Sequence, residues 1–171
     1  MKIRKAQTED ALNIKFLKIQ VWLHTYSTRG INNVYSEYLE TEFTYANCLK
    51  SICDKTKCCL IVEIDEYVIA YSEIDFNAIN PDTKLNMAEM TILYVSEHFY
   101  GQGIGKALLL ETEKQLTARG QSTYWLSCFI ENQNALNFYK HLGFNSNASI
   151  YFTMGDNRYE NLVFQKEVNT I

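Results

Sequence analysis

Glycine recurs at every second position of one short segment, Gly101-Gln102-Gly103-Ile104-Gly105-Lys106. The segment lies between a predicted strand that ends at Val95 and a predicted helix that ends at Arg119. Glycine lets the backbone approach a ligand closely, and a helix N-terminus adds a partial positive charge. These features favour binding of a pyrophosphate through backbone N–H groups, and the alternative is an ordinary flexible turn.

The same segment differs from two common nucleotide-binding motifs. Its glycines do not have the G-x-G-x-x-G spacing of a dinucleotide-binding loop, and it lies late in the chain. Lys106 is followed by Ala107 instead of Ser or Thr, and no glycine lies five residues before Gly105, as a Walker loop requires. Both nucleotide-binding folds are therefore disfavoured.

A second segment, from Asn132 to Phe144, has the pattern N-x-x-A-x-x-F-Y-x-x-x-G-F. The loop at residues 100–105 matches Q/R-x-x-G-x-G/A, except that Tyr100 replaces the usual Arg or Gln. With these two motifs in this order, the sequence resembles the GNAT N-acetyltransferase superfamily. The likeness extends to residues 3–6 and 88–95, so it covers most of the chain.

The resemblance implies an α/β (α+β) fold, with a mixed, mostly antiparallel central sheet flanked by helices. It implies acetyl-CoA as the donor, coenzyme A as the product, and direct acetyl transfer to the primary amine of a small molecule. The cofactor is expected where the predicted strands 85–95 and 123–130 separate. The residues that the resemblance assigns to cofactor binding are Leu93, Tyr94, Val95, Gln102, Gly103, Ile104, Gly105, Lys106, Asn132, Ala135 and Tyr139.

Glu89 is the candidate catalytic base, at the position where the family has one. A base is useful because an amine of the lysine type has a pKa of about 10.4 and is mostly protonated at neutral pH. On a strand of period two, apolar neighbours raise the pKa of a carboxyl. A bulge would change that face, and a surface ion pair is the alternative role. The residues predicted to share the face of Glu89 are Leu85, Met87, Leu93 and Val95.

Tyr139 is the candidate catalytic acid. The resemblance places it beside the cofactor sulfur, and its hydroxyl can donate a hydrogen bond. The alternative role is packing, because Tyr139 belongs to a helical stripe that also assigns Phe138 to the core. The members of the stripe are Ala135, Phe138, Tyr139 and Leu142.

The remaining catalytic groups are less well defined. We expect the oxyanion to accept a hydrogen bond from a backbone N–H between Ile92 and Val95. Cys128 offers a covalent acyl-enzyme alternative, but no histidine lies near it in the sequence to activate the thiol. The three histidines are scattered and receive no catalytic role.

The acceptor is suggested only by the first half of the chain. Short matches at residues 25–26, 38–43 and 68–71 give a weak likeness to the bacterial spermidine/spermine acetyltransferase branch. Glu37, Glu40 and Glu42 lie near several aromatic residues and suit a cationic acceptor such as a polyamine, although a solvated helix face has the same pattern. A catalytically silent acetyl-CoA-binding regulatory module, and an acetyltransferase acting on a protein or peptide amine, remain as alternatives.

Hydrophobic spacing predicts the elements that position these residues. A first helix capped by Thr8 ends near Ser27, and a hairpin turns at Asp65-Glu66. The helix that follows the glycines stops at Gly120, where a C-terminal cap belongs. One domain, residues 1–171, is expected. The other predicted elements are a strand at 3–6, two helices within 31–54, strands at 60–63, 67–76, 85–95 and 123–130, a helix from 132, and strands at 147–154 and 159–168.

Length and composition exclude several classes of protein. The 171 residues suit one domain, and 16 basic against 20 acidic residues give a net charge of -4, which disfavours nucleic acid as a partner. No apolar run approaches the roughly 18 residues of a membrane helix, and the N-terminus lacks a signal-type segment. We expect a cytoplasmic protein without metal or membrane partner, with a homodimer left open. The five cysteines indicate free thiols.

Overall fold

The computed structural model describes residues 1–168, and the last three residues of the predicted domain 1–171 lie outside this range. Residues 1–168 form seven strands and five α-helices. In chain order they are β1 (Lys2–Lys5), α1 (Ala11–Tyr26), α2 (Asn33–Glu42), α3 (Tyr45–Cys53), β2 (Lys57–Ile64), β3 (Tyr67–Asp75), β4 (Ala88–Val95), α4 (Ile104–Ala118), β5 (Thr123–Phe129), α5 (Gln133–His141), β6 (Asn145–Met154) and β7 (Asn157–Glu167).

The seven strands form one sheet in the order β1-β2-β3-β4-β5-β7-β6. Neighbouring strands are antiparallel, except that β4 and β5 are parallel. Helix α4 connects these two parallel strands, as a crossover connection requires. The predicted fold class, a mixed and mostly antiparallel sheet with flanking helices, is confirmed.

Side chains alternate between two apolar layers, one on each face of the sheet. Helices α4 and α5 cover one face, where Leu108 and Tyr139 pack on strand residues such as Leu60 and Met90. Helices α1 and α3 cover the other face, where Ile14 and Cys48 belong to one buried cluster. Helix α2 packs against β6 at the end of this second layer.

The turn chemistry read from the sequence is confirmed at two places. Asp65 and Glu66 join β2 to β3 with φ angles of 49° and 71°, so this two-residue turn adopts a left-handed conformation without glycine. Gly120 follows α4 with a φ of 71°, as expected for a residue that ends a helix. All five cysteines are free thiols.

The predicted start of the first helix is wrong. Thr8 does not cap α1, because residues Thr8–Asp10 form a 3-10 turn that precedes it. The Asp10 carboxylate accepts from the backbone N–H of Gln7 at 2.8 Å and from the Arg4 guanidinium at 2.6 Å. This ion pair joins β1 to α1 and fixes the turn, and it lowers the pKa of Asp10.

The predicted start of the long strand at Leu85 is also wrong. Strand β4 begins at Ala88, because the preceding residues fold back on themselves through the bridge between Ile79 and Asn86. The backbone N–H of Met87 donates to the carbonyl of Ala78 at 2.9 Å. Leu85 lies in this loop and is exposed.

A bulge in β4 changes which residues share a face with Glu89. Ile92 pairs with Glu73 while Met90 pairs with Ile74, so one residue of β4, Thr91, has no partner on β3. Beyond the bulge, the next residues of β4 therefore face the opposite layer from the one that a strict alternation predicts.

The predicted face of Glu89 is therefore wrong for three of its four members, because Leu85 lies in the loop before β4 and the bulge turns Leu93 and Val95 to the other face. Leu93 and Val95 pack with Met90 against the α4 layer, whereas Glu89 points to the opposite face. Ile92, on the α1 layer, takes their place on the side of Glu89.

Candidate active site

Strands β4 and β5 diverge shortly after they meet. Their register pairs are Ala88 with Tyr124 and Glu89 with Trp125, and no later pair follows in the described strands. The indole N–H of Trp125 donates to the carbonyl of Met87 at 3.2 Å and joins β5 to the start of β4, where the two strands are still paired. A gap therefore opens in the sheet from Glu89 onwards, where the strands were expected to separate.

The glycine segment lies at the N-terminus of α4, beyond the open end of β4. Gly101 and Gly103 have φ angles of 75° and 77°, in the left-handed region that favours glycine. A Cβ at either position would meet no atom within 4 Å, so the space beside both residues is open. Left-handed residues before a helix start turn successive N–H groups toward one point, which suits an anion.

Gly105 has a different role from the other two glycines. It lies inside α4, and a Cβ there would be 3.2 Å from Cζ of Phe138 in α5. Its lack of a side chain lets α4 and α5 pack closely, next to Val95. The sequence treats the three glycines alike, but the structure assigns two to backbone conformation and one to helix packing.

The other side chains of the loop differ in burial and in their contacts. Ile104 is buried in the core, so only its backbone N–H is available to a ligand. The Gln102 side chain donates to the carbonyl of His98 at 3.2 Å, and Lys106 is exposed. Tyr100 packs edge-on against His24, with ring centroids 6.1 Å apart.

Glu89 lies at the vertex of the gap, as the last residue of β4 that pairs with β5. It makes no hydrogen bond to another residue among those described, and none of their fully buried side-chain oxygens lacks a partner. Neither carboxylate oxygen of Glu89 is therefore fully buried. Burial, together with the nearby carboxylate of Asp75, raises the pKa of Glu89 to about 7. This is a suitable value for a proton acceptor at neutral pH.

Tyr139 lies in α5 and is 8% exposed, with its ring packed against Phe144 and Phe164. Among the described residues its hydroxyl has no hydrogen-bond partner, yet it is not a fully buried unpaired group. Burial raises the pKa of Tyr139, so the hydroxyl keeps its proton at neutral pH. Phe138 packs against the core cluster, as predicted, although it is less buried than Tyr139.

Tyr94 of β4 packs with the α1 layer, and burial raises its pKa, with smaller contributions from Tyr26, Tyr38 and Tyr139. Burial also raises the pKa of Tyr26, with a contribution from Cys128. Both phenols therefore keep their protons at neutral pH.

Cys128 has none of the features of an activated nucleophile. It is buried on β5, and burial raises the pKa of its thiol to about 12. The thiolate is therefore scarce at neutral pH, and a covalent acyl-enzyme would lack its nucleophile.

The remaining predicted residues surround the gap. Leu93, Tyr94 and Val95 form the part of β4 beyond the last pair with β5. The side chain of Asn132 caps α5 by accepting from the backbone N–H of Ala135 at 3.1 Å, which confirms Asn132 as the helix cap.

A groove lies between α2 and the β6–β7 hairpin. Aromatic rings of Tyr38 and Phe152 approach edge to face, with centroids 5.6 Å apart, and carboxylates of Glu37 and Glu42 lie beside them. The groove has a volume of about 480 Å³ and is lined by Val34, Glu37, Tyr38, Thr41, Glu42, Phe152, Thr153, Met154 and Gly155.

Sequence reasoning missed the part of this groove that the hairpin contributes. Nothing in the pattern of β6 and β7 identifies Phe152 or Gly155 as site residues. A Cβ on Gly155 would lie 3.2 Å from Cγ1 of Val34, so glycine permits the close approach of the hairpin to α2.

Residues 1–168 contain neither a candidate metal-binding group nor a candidate membrane-spanning helix. Within this range, no three or more His, Cys, Asp or Glu side chains are grouped so that they could hold a metal ion. No helix in the same range has both the length and the apolar character that crossing a bilayer requires.

The fold and the loop define a protein whose sheet opens beside a helix start that two left-handed glycines precede. A sequence model of the acetyltransferase (GNAT) family matches residues 19–144. Because this match spans most of the chain, the protein belongs to the acetyltransferase (GNAT) family.

Curated relatives match part of the chain. It is 28% identical over 106 residues to the N-acetyltransferase of the pepI 3′ region of Lactobacillus delbrueckii subsp. lactis, covering 61% of either sequence. It is 39% identical over 83 residues to the ribosomal protein bS18 alanine N-acetyltransferase of Haemophilus ducreyi, covering 47% of this chain. The matched segments span 61% and 57% of the length of these two relatives.

Solved structures share the fold over nearly the whole chain. The PaiA N-acetyltransferase of Thermoplasma acidophilum, solved with coenzyme A, gives a TM-score of 0.81 at 22% identity and covers 97% of this chain and 98% of its own. The acetyltransferase YncA of Salmonella typhimurium, solved with acetyl-CoA, gives 0.69 at 18% identity, with coverages of 100% and 95%. At these identities the likeness concerns the fold.

Proposed function

We propose that this protein is an N-acetyltransferase that moves an acetyl group from acetyl-CoA directly to the primary amine of a small molecule. One observation carries the proposal: the glycine loop precedes α4 beyond the open end of β4, where β4 and β5 separate after Glu89. Tyr139, in the α4 layer, is the acid that we assign to this site. Membership of the GNAT family supports the same reaction class.

The residues of the site fit coenzyme A. The open backbone of Gly101 and Gly103, followed by the helix N-terminus, suits the diphosphate. Residues 93–95 of β4 pair with β3 on one side, and on the other side no strand of the described sheet pairs with them. This open side of β4 offers backbone groups to the amides of the pantetheine arm. Asn132 and Ala135, at the start of α5, lie on the other side of the gap.

Acetyl-CoA supplies the activated acetyl thioester. Glu89 accepts the proton that the acceptor aminium must lose before it becomes a nucleophile, directly or through water. Because the pKa of Glu89 is about 7, its ionised form becomes dominant as the pH rises through neutrality. Backbone N–H groups between Ile92 and Val95 stabilise the oxyanion.

Tyr139 keeps its proton at neutral pH and donates it to the departing sulfur. The weak nucleophilicity of the buried Cys128 thiol favours direct transfer over a covalent intermediate.

A polyamine is the acceptor that the groove favours. The carboxylates of Glu37 and Glu42 attract a second ammonium group, and the rings of Tyr38 and Phe152 offer π faces to a cation. A linear polyamine could hold one end in the groove and present the other to Glu89.

Two measurements test the function. Calorimetry should detect binding of both coenzyme A and acetyl-CoA, and thiol release should identify turnover over a panel of polyamines, amino acids, aminoglycosides and peptide N-termini. Absence of coenzyme A binding would refute the assignment. Tight binding without turnover over the whole panel would favour the silent regulatory module instead.

A matched pair of variants tests the acceptor class. Replacing Glu37 and Glu42 together with Gln should raise KM for spermidine about threefold to tenfold, because surface charges contribute modestly. Glu40→Gln, on the same helix but outside the groove lining, should leave KM unchanged. If the double variant raised KM equally for a monoamine and for spermidine, or if Glu40→Gln raised KM for spermidine as much as the double variant does, the role of the groove would be contradicted.

A second candidate acceptor is the α-amino group of a peptide. The similarity to the Haemophilus enzyme, whose printed name specifies an alanine of ribosomal protein bS18, favours it. A peptide with N-terminal alanine therefore belongs in the panel, and a kcat/KM for it above that of every small amine would select this alternative.

A further inference from the structure

Glu89 belongs to a row of residues that crosses four strands. Lys57 on β2 is directly opposite Asp75 on β3, Asp75 is directly opposite Glu89 on β4, and Glu89 is directly opposite Trp125 on β5. Residues that are directly opposite in a sheet have their Cβ atoms about 4.5–5.5 Å apart and share a face. The two carboxylates are therefore immediate cross-strand neighbours.

The lysine of this row is already engaged by another carboxylate. Nζ of Lys57 lies 2.6 Å from Oε1 of Glu73, which is buried and also accepts from the hydroxyl of Tyr71 at 2.8 Å. These contacts lower the pKa of Glu73, so it stays ionised. Lys57 therefore compensates Glu73 first, and the pair formed by Asp75 and Glu89 has no dedicated cation.

We propose that Asp75 is a positioning residue which, acting across the β3–β4 ladder, makes the Glu89 carboxylate a stronger base. The inference rests on the proposed role of Glu89 in acetyl transfer. Asp75 itself is fixed, because its Oδ1 accepts from the backbone N–H of Asn77 at 2.8 Å.

The physical reason is repulsion between like charges in a half-buried setting. Two carboxylates that face each other resist simultaneous ionisation, so the one that is more buried holds its proton to a higher pH. The charged groups that act on Glu89 from the neighbouring strands are Asp75 and Glu73 of β3 and Lys57 of β2, while Trp125 of β5 carries no charge. From the helical layer, Lys18 of α1 acts on Glu73.

The test measures the Glu89 carboxyl directly, in protein without donor or acceptor. Side-chain carboxyl NMR of glutamate-labelled protein gives the titration midpoint, and Glu89→Gln identifies the signal. Asp75→Asn, which keeps an oxygen for the Asn77 N–H, should lower that midpoint by about one pH unit. Asp75→Thr should displace it in the same direction and provides a second variant.

Asp65→Asn is the matched control, because it removes the same charge at the far end of the same hairpin. Asp65 is exposed and has a φ of 49°, a conformation that Asn also tolerates. The midpoint should not move in this variant. An unchanged midpoint in both folded Asp75 variants, or an equal change in the control, would overturn the inference.

The same experiment separates this inference from the proposed function. With acetyl-CoA and an acceptor, the acid limb of kcat/KM should move with the NMR midpoint in Asp75→Asn. If the NMR midpoint moves and no amine is acetylated by the wild-type protein, the coupling of the two carboxylates stands and the proposed function fails.

Discussion

The loop at the start of α4 can be tested with two alanine substitutions at opposite ends of the same helix. Gly103 precedes α4 with a φ of 77°, and Gly120 follows it with a φ of 71°. At both positions an added Cβ would meet no atom within 4 Å. The two substitutions therefore impose nearly the same backbone strain and no steric clash, and they differ only in what lies beside them.

The strain is the same, so the loss of stability should be the same. Holding an L-residue in the left-handed region costs about 1–2 kcal/mol. For a protein of this size, each kcal/mol lowers Tm by about 2–4 °C. Both Gly103→Ala and Gly120→Ala should therefore melt about 2–8 °C below the wild type, as measured by calorimetry or circular dichroism.

The affinity for coenzyme A should separate the two variants. The Cβ at position 103 would occupy the open space in which the diphosphate is proposed to lie. Loss of one hydrogen bond to a charged group is worth about 1.5–3 kcal/mol, which corresponds to a Kd about 10-fold to 100-fold higher. Gly120→Ala should bind coenzyme A like the wild type.

Isothermal titration calorimetry at a temperature where both variants are folded measures this difference. Wild-type affinity in folded Gly103→Ala would refute the assignment of the diphosphate to this loop. An equal loss of affinity in Gly120→Ala would show that general destabilisation, and not the loop, controls binding.

Three other changes probe the catalytic pair and the core. Tyr139→Phe removes only the hydroxyl, so kcat should fall about 100-fold to 10,000-fold with Tm nearly unchanged, and wild-type kcat would remove Tyr139 from the mechanism. Glu89→Gln should abolish the acid limb near pH 7 in the rate profile. The pKa of Glu89 is higher in the folded protein than in the unfolded chain, so ionisation of this carboxyl lowers the stability of the fold as the pH rises toward 7. The Tm of Glu89→Gln should therefore lie above that of the wild type at pH 8. Below about pH 4 the two Tm values should be equal. Lys166→Met removes the ion-pair partner of the buried Glu113, whose carboxylate lies 2.6 Å from the Lys166 ammonium. The free energy of unfolding, measured in urea, should fall by about 3–5 kcal/mol. Adding Glu113→Gln to this variant should restore most of that loss.

Local elements of the fold could be predicted because their causes lie within short windows of sequence. Gly120 ends α4, the pair Asp65-Glu66 forms a turn, and Asn132 caps α5, each through a conformation or a hydrogen bond a few residues long. The start of α1 was mispredicted at Thr8 because the deciding contact, between Arg4 and Asp10, comes from a strand outside the helix.

The glycine loop was predicted for the same local reason. Two glycines with positive φ before a helix form a backbone concavity whatever the rest of the chain does. The different roles of the three glycines were not predictable, because the role of Gly105 depends on its contact with Phe138, a residue of another helix.

The sequence alone determined the class of the protein and the location of the loop, since both follow from residue types at fixed spacing, and the resemblance to the family then named Glu89 and Tyr139 as candidates. Only the tertiary structure decided what surrounds them. The bulge at Thr91 reversed the face of the following residues, and strand pairing placed Asp75, distant in sequence, opposite Glu89. Such neighbours arise from register and packing between separate elements, and the free energy that fixes them belongs to the assembled sheet, not to any local segment.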